Sequence, residues 1–196
     1  MSNNKKPLDK LLKDRGNPYE IELELAIRKM LENNTDLDWE FRKNQDQYGY
    51  DLQANHYLGI TGKSDWDIQE KAFIEVEVSE NWENKWPDHW YNYSFLTRKI
   101  RKYDWDNNEF KDELKDNADK TIYIIFNKNL SDAFCQNIKT IDDKFNIIKQ
   151  GNIKNESSYN NTYHRLKTKE GKYIVHRGVD ECLSYIQKFI NEKSDK

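Results

Sequence analysis

From Phe73 to Ser79 the chain alternates strictly, with Ile74, Val76 and Val78 on one side and Phe73, Glu75, Glu77 and Ser79 on the other. An extended strand projects successive side chains to opposite faces, and the β-branched content favours that state. The run is therefore expected to be a strand with one apolar and one acidic face. Tyr50–Ala54 (YDLQA) reads as a second strand, and Gly59–Ser64 (GITGKS) as the reversal between them, since glycine accepts positive φ. Asp51 and Glu75 are equidistant from Lys63. An antiparallel hairpin reversing there brings the two carboxylates into register on neighbouring strands. Asp67 competes for that place by symmetry about Lys71, but residues 69–72 hold no turn-former, so Asp51 is preferred. Carboxylates gathered on one patch repel each other. A hard divalent cation such as Mg2+ or Mn2+, bound through oxygen, relieves that repulsion and stabilises charge developing on a phosphate.

Gly49-Tyr50-Asp51, the hairpin and Glu75-Val76-Glu77 resemble the metal-binding core of the PD-(D/E)xK, or restriction-endonuclease-like, nucleases. In that family an Asp opens one strand and an acid-x-Lys triplet lies on the next. A Glu often comes from the preceding helix after a Gly…aromatic-Glu start, and Gly16-Asn17-Pro18-Tyr19-Glu20 stands at the matching place. The resemblance covers roughly the first half of the chain and departs from the family at Glu77, where Lys is usual and Glu or Gln occurs in some members. It implies an α/β fold with a mixed central sheet of about four or five strands flanked by helices. It also implies Mg2+ or Mn2+ held by Asp51, Glu75 and Glu77, and hydrolysis of nucleic-acid phosphodiesters, with DNA the expected substrate. Asp51, Glu75, Glu77 and Glu20 are the catalytic residues carried over, and Lys99 is the candidate to supply the missing lysine's charge. The alternative is a nuclease-like fold that binds nucleic acid or protein without cutting. Glu75 and Glu77 are expected on a solvent-facing strand surface, so that Glu75→Ala would cost little stability.

The chain has 196 residues, which suits one domain: an N-terminal extension at 1–15, a catalytic core at 16–130, and a completing part at 131–196. Only 36% of residues are hydrophobic and 34% are charged, so the surface must be strongly polar; 13% aromatic residues argue against disorder. A net charge of −3 advertises no global basic field, so nucleic acid would need a local basic face. The densest candidate is Thr97–Lys102, with Arg98, Lys99, Arg101 and Lys102. Arg165 and Arg177, each following a histidine, are further candidates for phosphate contact. Cys135 and Cys182 read as buried thiols, and no His/Cys spacing indicates zinc. No apolar stretch has the length of a signal sequence or membrane span, so a cytoplasmic location away from membranes is expected, and a homodimer is left open.

Along the chain, Tyr19–Leu31 has helical apolar spacing, with Glu20 and Glu24 on one side. Trp39–Arg42 reads as a first strand. Between Glu80 and Tyr103 a loop and then a helix starting near Pro87 or Asp88 are expected, with Trp90, Tyr91, Tyr93 and Phe95 as core or as a stacking surface. Asp104–Lys120 reads as an exposed excursion. Thr121–Phe126 (TIYIIF) is expected to be a central strand covered on both faces. Ser131–Ile141 reads as a helix, and Tyr163–Leu166 with Tyr173–Arg177 as a late hairpin around 169–171. A last amphipathic helix begins at Asp180, with Cys182, Leu183, Ile186, Phe189 and Ile190 inward.

Overall fold

The computed structural model describes residues 29, 39–43, 51–58, 67–79, 81–90, 92–149, 162–166 and 174–194. The helix expected over Tyr19–Leu31 and the reversal at Gly59–Ser64 lie outside them, except that Lys29 is helical. The strands before the site are β1 (Trp39–Lys43), β2 (Leu52–Leu58) and β3 (Asp67–Ser79). After them come β4 (Tyr93–Leu96), a single tight helical turn (Thr97–Lys99), β5 (Arg101–Asp104), β6 (Glu109–Leu114) and a second such turn (Ala118–Lys120). The remainder is β7 (Thr121–Asn127), β8 (Ala133–Asn137), α1 (Ile138–Lys144), β9 (Asn146–Lys149), β10 (Thr162–Leu166), β11 (His176–Arg177) and α2 (Val179–Ser194). No described helix is long and apolar enough to cross a membrane.

The run at Thr121 has no polar face to offer water, so it must be covered on both sides. It forms β7, buried along its whole length, and lies inside a six-stranded sheet of order β1-β2-β3-β7-β8-β11. β3 and β7 are parallel, and the other neighbours in this sheet are antiparallel. On one face Ile74, Val76, Val78, Ile122, Ile124 and Phe126 pack against Cys182, Ile186 and Ile190 of α2. That helix starts beyond Gly178, whose φ of 90° falls in the left-handed region, with Asp180 and Glu181 in the turn where the helix dipole favours negative charge.

The opposite face is covered differently. A three-stranded sheet, β4-β10-β9, lies over it with α1, and aromatic side chains fill the space between. Phe95 stands 5.1 Å from Tyr123 and 5.4 Å from Phe134, centroid to centroid, and Tyr93 stands 5.3 Å from Phe134. Trp82 and Trp86 join this cluster, while Trp90 is exposed, so the aromatic run serves mainly as core. β5 and β6 form a separate, largely exposed two-stranded arm with Trp105 open to solvent at its tip, in keeping with the excursion expected there.

The architecture is mixed α/β, but several expectations are corrected. The large sheet has six strands, not four or five, because β8 and β11 join it. Ser131–Ile141 is not one helix. Phe134 and Cys135 face opposite sides of the sheet, and α1 begins only after Asn137, whose side chain accepts from the Lys139 and Thr140 N–H groups. The two halves of the late hairpin lie in different sheets, since β10 pairs with β4 and β9 while β11 pairs with β8. No helix occurs among the described residues of 81–96; Trp86 N–H is instead held by Asp132 Oδ2 at 2.7 Å. Cys135 and Cys182 are buried free thiols, as expected, although Cys135 lies on a strand.

Ile124→Ala, at the centre of β7, should lower unfolding free energy by about 2–5 kcal/mol in denaturant titration. Ile147→Ala, at an exposed position of β9, should change it by no more than about 0.5 kcal/mol.

Candidate functional site

β2 and β3 pair with Leu52 opposite Ile74, Gln53 opposite Phe73 and His56 opposite Glu70, so one step further sets Asp51 beside Glu75. This is the register given by symmetry about Lys63. It holds at the site end of the hairpin and slips at a bulge between His56 and Tyr57. Val76 N–H donates to Asp51 Oδ2 at 2.8 Å, which ties the carboxylate to the strand carrying Glu75. Asp67 pairs with Leu58 at the far end of β3 and does not compete.

β3 is an inner strand, and its acidic face looks into the covered side of the sheet. Glu75 is 1% exposed, which corrects the expectation of a solvent-facing strand surface. The layer above supplies what these acids need. Between buried Thr97 and buried Ile100 the tight turn presents Arg98 and Lys99. Lys99 Nζ donates to Glu75 Oε1. Tyr123, opposite Glu75 in the parallel pairing, donates its hydroxyl to Glu77 Oε2. Asp51, Glu75, Glu77 and Lys99 thus come together, with Arg98 near enough to act on Glu77 and Lys99.

Burial pushes Glu75 up to about 8; Lys99 opposes that shift and Asp51 adds to it. Burial likewise raises Glu77, against the hydrogen bond from Tyr123. Burial works against the charge of Lys99, but Glu75 and then Asp51 outweigh it and hold the ammonium above the usual lysine range. Lys115, just after β6, feels Glu75, Lys99, Arg98 and Asp51, and burial lowers it. Its N–H donates to Ile100 O at 2.9 Å, so both roots of the β5–β6 arm carry a lysine to this cluster.

The other candidates lie elsewhere. Glu20 is outside the described residues. Arg101 is engaged by Asp142 and Asp112, and Lys102 by Glu113 and Asp116. Arg165 donates to Ser94 Oγ at 2.8 Å over the Tyr163 ring, and Arg177 donates to Trp86 O at 3.1 Å. Sequence reasoning missed Lys115 and Tyr123. Nothing in the polar run 104–120 singles out Lys115. Tyr123 did carry a signal: a hydroxyl inside an aliphatic strand needs a buried partner.

Among the described residues, no three His, Cys, Asp or Glu side chains are arranged to cage a metal ion. Mg2+ commonly uses only one or two carboxylates, with water and substrate oxygens completing its shell, so the adjoining Asp51 and Glu75 suit such an ion in donor chemistry. Asp51 also raises the cost of ionising Glu75, a cost that a cation removes. Comparison with family models, curated proteins and solved structures gives no match.

Burial raises Glu75 above its unfolded value, so there is a window above the ordinary carboxyl range in which the unfolded chain loses this proton before the folded one does. This group's contribution to stability therefore falls as pH rises through that window. Denaturation midpoints measured against pH should show that fall in the wild type and lose that component in Glu75→Gln. Carboxyl NMR titration should find Glu75 moved upward by Lys99→Met and downward by Asp51→Asn.

Proposed function

We propose that the protein is a divalent-metal-dependent nuclease of the PD-(D/E)xK type that hydrolyses nucleic-acid phosphodiesters, with DNA as the proposed substrate. The observation that carries this reading is the contact of Lys99 with Glu75 beside Asp51. The family's strand-opening Asp, following-strand acid and lysine are all represented, with the lysine arriving from the turn after β4 instead of position 77. The mixed sheet, with Asp51 at the opening of β2 and Glu75 on the adjoining strand, is compatible with the restriction-endonuclease-like arrangement.

Asp51 and Glu75 would hold Mg2+ or Mn2+, which supplies Lewis-acid stabilisation of phosphate charge and acidifies water. Glu77 Oε1 takes the proton from the attacking water. Burial raises Glu77 above the ordinary carboxyl range, which makes it a stronger base, and Tyr123 fixes its other oxygen. As water adds to phosphorus the bridging oxygen departs and is protonated from solvent. Lys99 provides the positive charge that Glu77 cannot. Arg98 and Lys115 add to a basic margin around the acids, while Arg101 and Lys102 are engaged by neighbouring carboxylates.

Wild type, Glu75→Gln and Lys99→Met are incubated with duplex DNA, single-stranded DNA and RNA in Mg2+ or Mn2+, with circular dichroism as the folding control. Cleavage by the wild type should fall by about a hundredfold or more in either variant. The near-complete burial of Glu75 and its pairing with Lys99 favour a second reading, a nuclease-like binding module that does not cut. Folded wild type that neither cleaves nor binds Mn2+ in calorimetry would put that reading in front. Equal cleavage by wild type and Glu75→Gln would assign the activity to another site or to a contaminant.

A further inference from the structure

The turn that carries Arg98 and Lys99 has little of its own to hold it. It is one turn long, and its first flanking residue, Leu96, supplies no side-chain cap. A backbone bond from Ile100 N–H to Thr97 O at 2.9 Å closes it. A buried polar chain lies beneath it. Thr97 Oγ1 lies 3.1 Å from His164 Nδ1, and His164 Nε2 lies 2.9 Å from Asp142 Oδ1. Arg101 Nε donates to that same oxygen at 2.6 Å. These four residues come from the turn, from β10, from α1 and from β5, so the chain ties together the elements of the covering layer that surround Lys99.

The partners dictate the proton positions. Asp142 accepts at Nε2, so that nitrogen carries the hydrogen, and Nδ1 accepts from the Thr97 hydroxyl. The charged groups facing the ring are Asp142 and Arg101. Arg101 neutralises Asp142, so the ring need not carry a charge, and burial lowers its basicity. Thr97 and His164 are both fully buried, which excludes them from touching substrate as a nucleophile and base. Every partner in such a chain must be present, because a buried polar group left alone keeps its full desolvation cost.

We propose that His164 is a positioning residue that, through Thr97, holds Lys99 on Glu75. Its catalytic consequence rests on the nuclease reading; its structural consequence does not. Thr97→Val keeps the side-chain shape and removes the hydroxyl, and Thr97→Ser restores a hydroxyl. Two quantities are read on each full-length variant: the rate at which acetic anhydride acetylates Lys99, by mass spectrometry, and kcat and KM for Mg2+-dependent cleavage. Thr97→Val should acetylate at Lys99 about tenfold faster and lose about tenfold in kcat with KM less affected. Thr97→Ser should stay near wild type, as should Ile186→Val, a packing change on the far face of the large sheet. In the wild type, nitrogen NMR should find His164 protonated on Nε2 alone at neutral pH. An Nδ1–H tautomer would overturn the proposal with no variant needed, including where Thr97→Val does not fold. If the wild type cleaves nothing but Thr97→Val still unmasks Lys99, the nuclease reading fails and the positioning role stands. If the wild type cleaves and folded Thr97→Val matches it in both readings, the positioning role is overturned and the nuclease reading stands.

Discussion

Glu75 and Glu77 sit on a face of β3 that a second layer of protein must cover, and ionised carboxylates resist being taken out of water. Much of that layer answers this constraint. Tyr123 brings a hydroxyl from the adjoining strand to Glu77, and the turn after β4 brings an ammonium to Glu75. That turn is anchored by Thr97 and Ile100, and the β5–β6 arm springs from it, returning at Lys115. The cover is therefore built of short strands and turns, which can deliver single polar groups at chosen points.

The two faces of the large sheet divide the work accordingly. Against α2 the buried contacts are mainly apolar side chains and two thiols. On the other side aromatic rings meet at centroid distances near 5 Å, filling large spaces with few residues, and the acids meet the basic turn beside them. A chain with only 36% hydrophobic residues can build two such cores because its aromatic residues bury much area each.

Local patterning made the hairpin readable. Alternation through Val78 located β3, the symmetry of Asp51 and Glu75 predicted their register, and the unbroken apolar run at Thr121 predicted a covered strand. Patterning failed where two faces are both buried. Phe134 and Cys135 point into different cores, so β8 shows no polar side and its short apolar string is open to a helical reading as well. The same ambiguity turned two strands of different sheets, β10 and β11, into an expected hairpin. The spacing between them looked like a turn, while their partners, β4 and β8, lie far away in sequence.

Sequence alone determined which residues could share a strand face and which carboxylates could stand side by side, because a hairpin's register follows from local spacing. It also marked Thr97–Lys102 as the basic segment, with Lys99 as the lysine to watch. It could not say that the acidic face would be buried, since burial depends on what packs over a strand and not on the strand itself. Nor could it say that Lys99 would end on Glu75 while Arg101 and Lys102, within three residues of it, end on other carboxylates. Those assignments were made by contacts between residues from 11 to 67 positions apart, Lys102 with Glu113 at one extreme and Thr97 with His164 at the other. The longer of these contacts exist only once the two layers close.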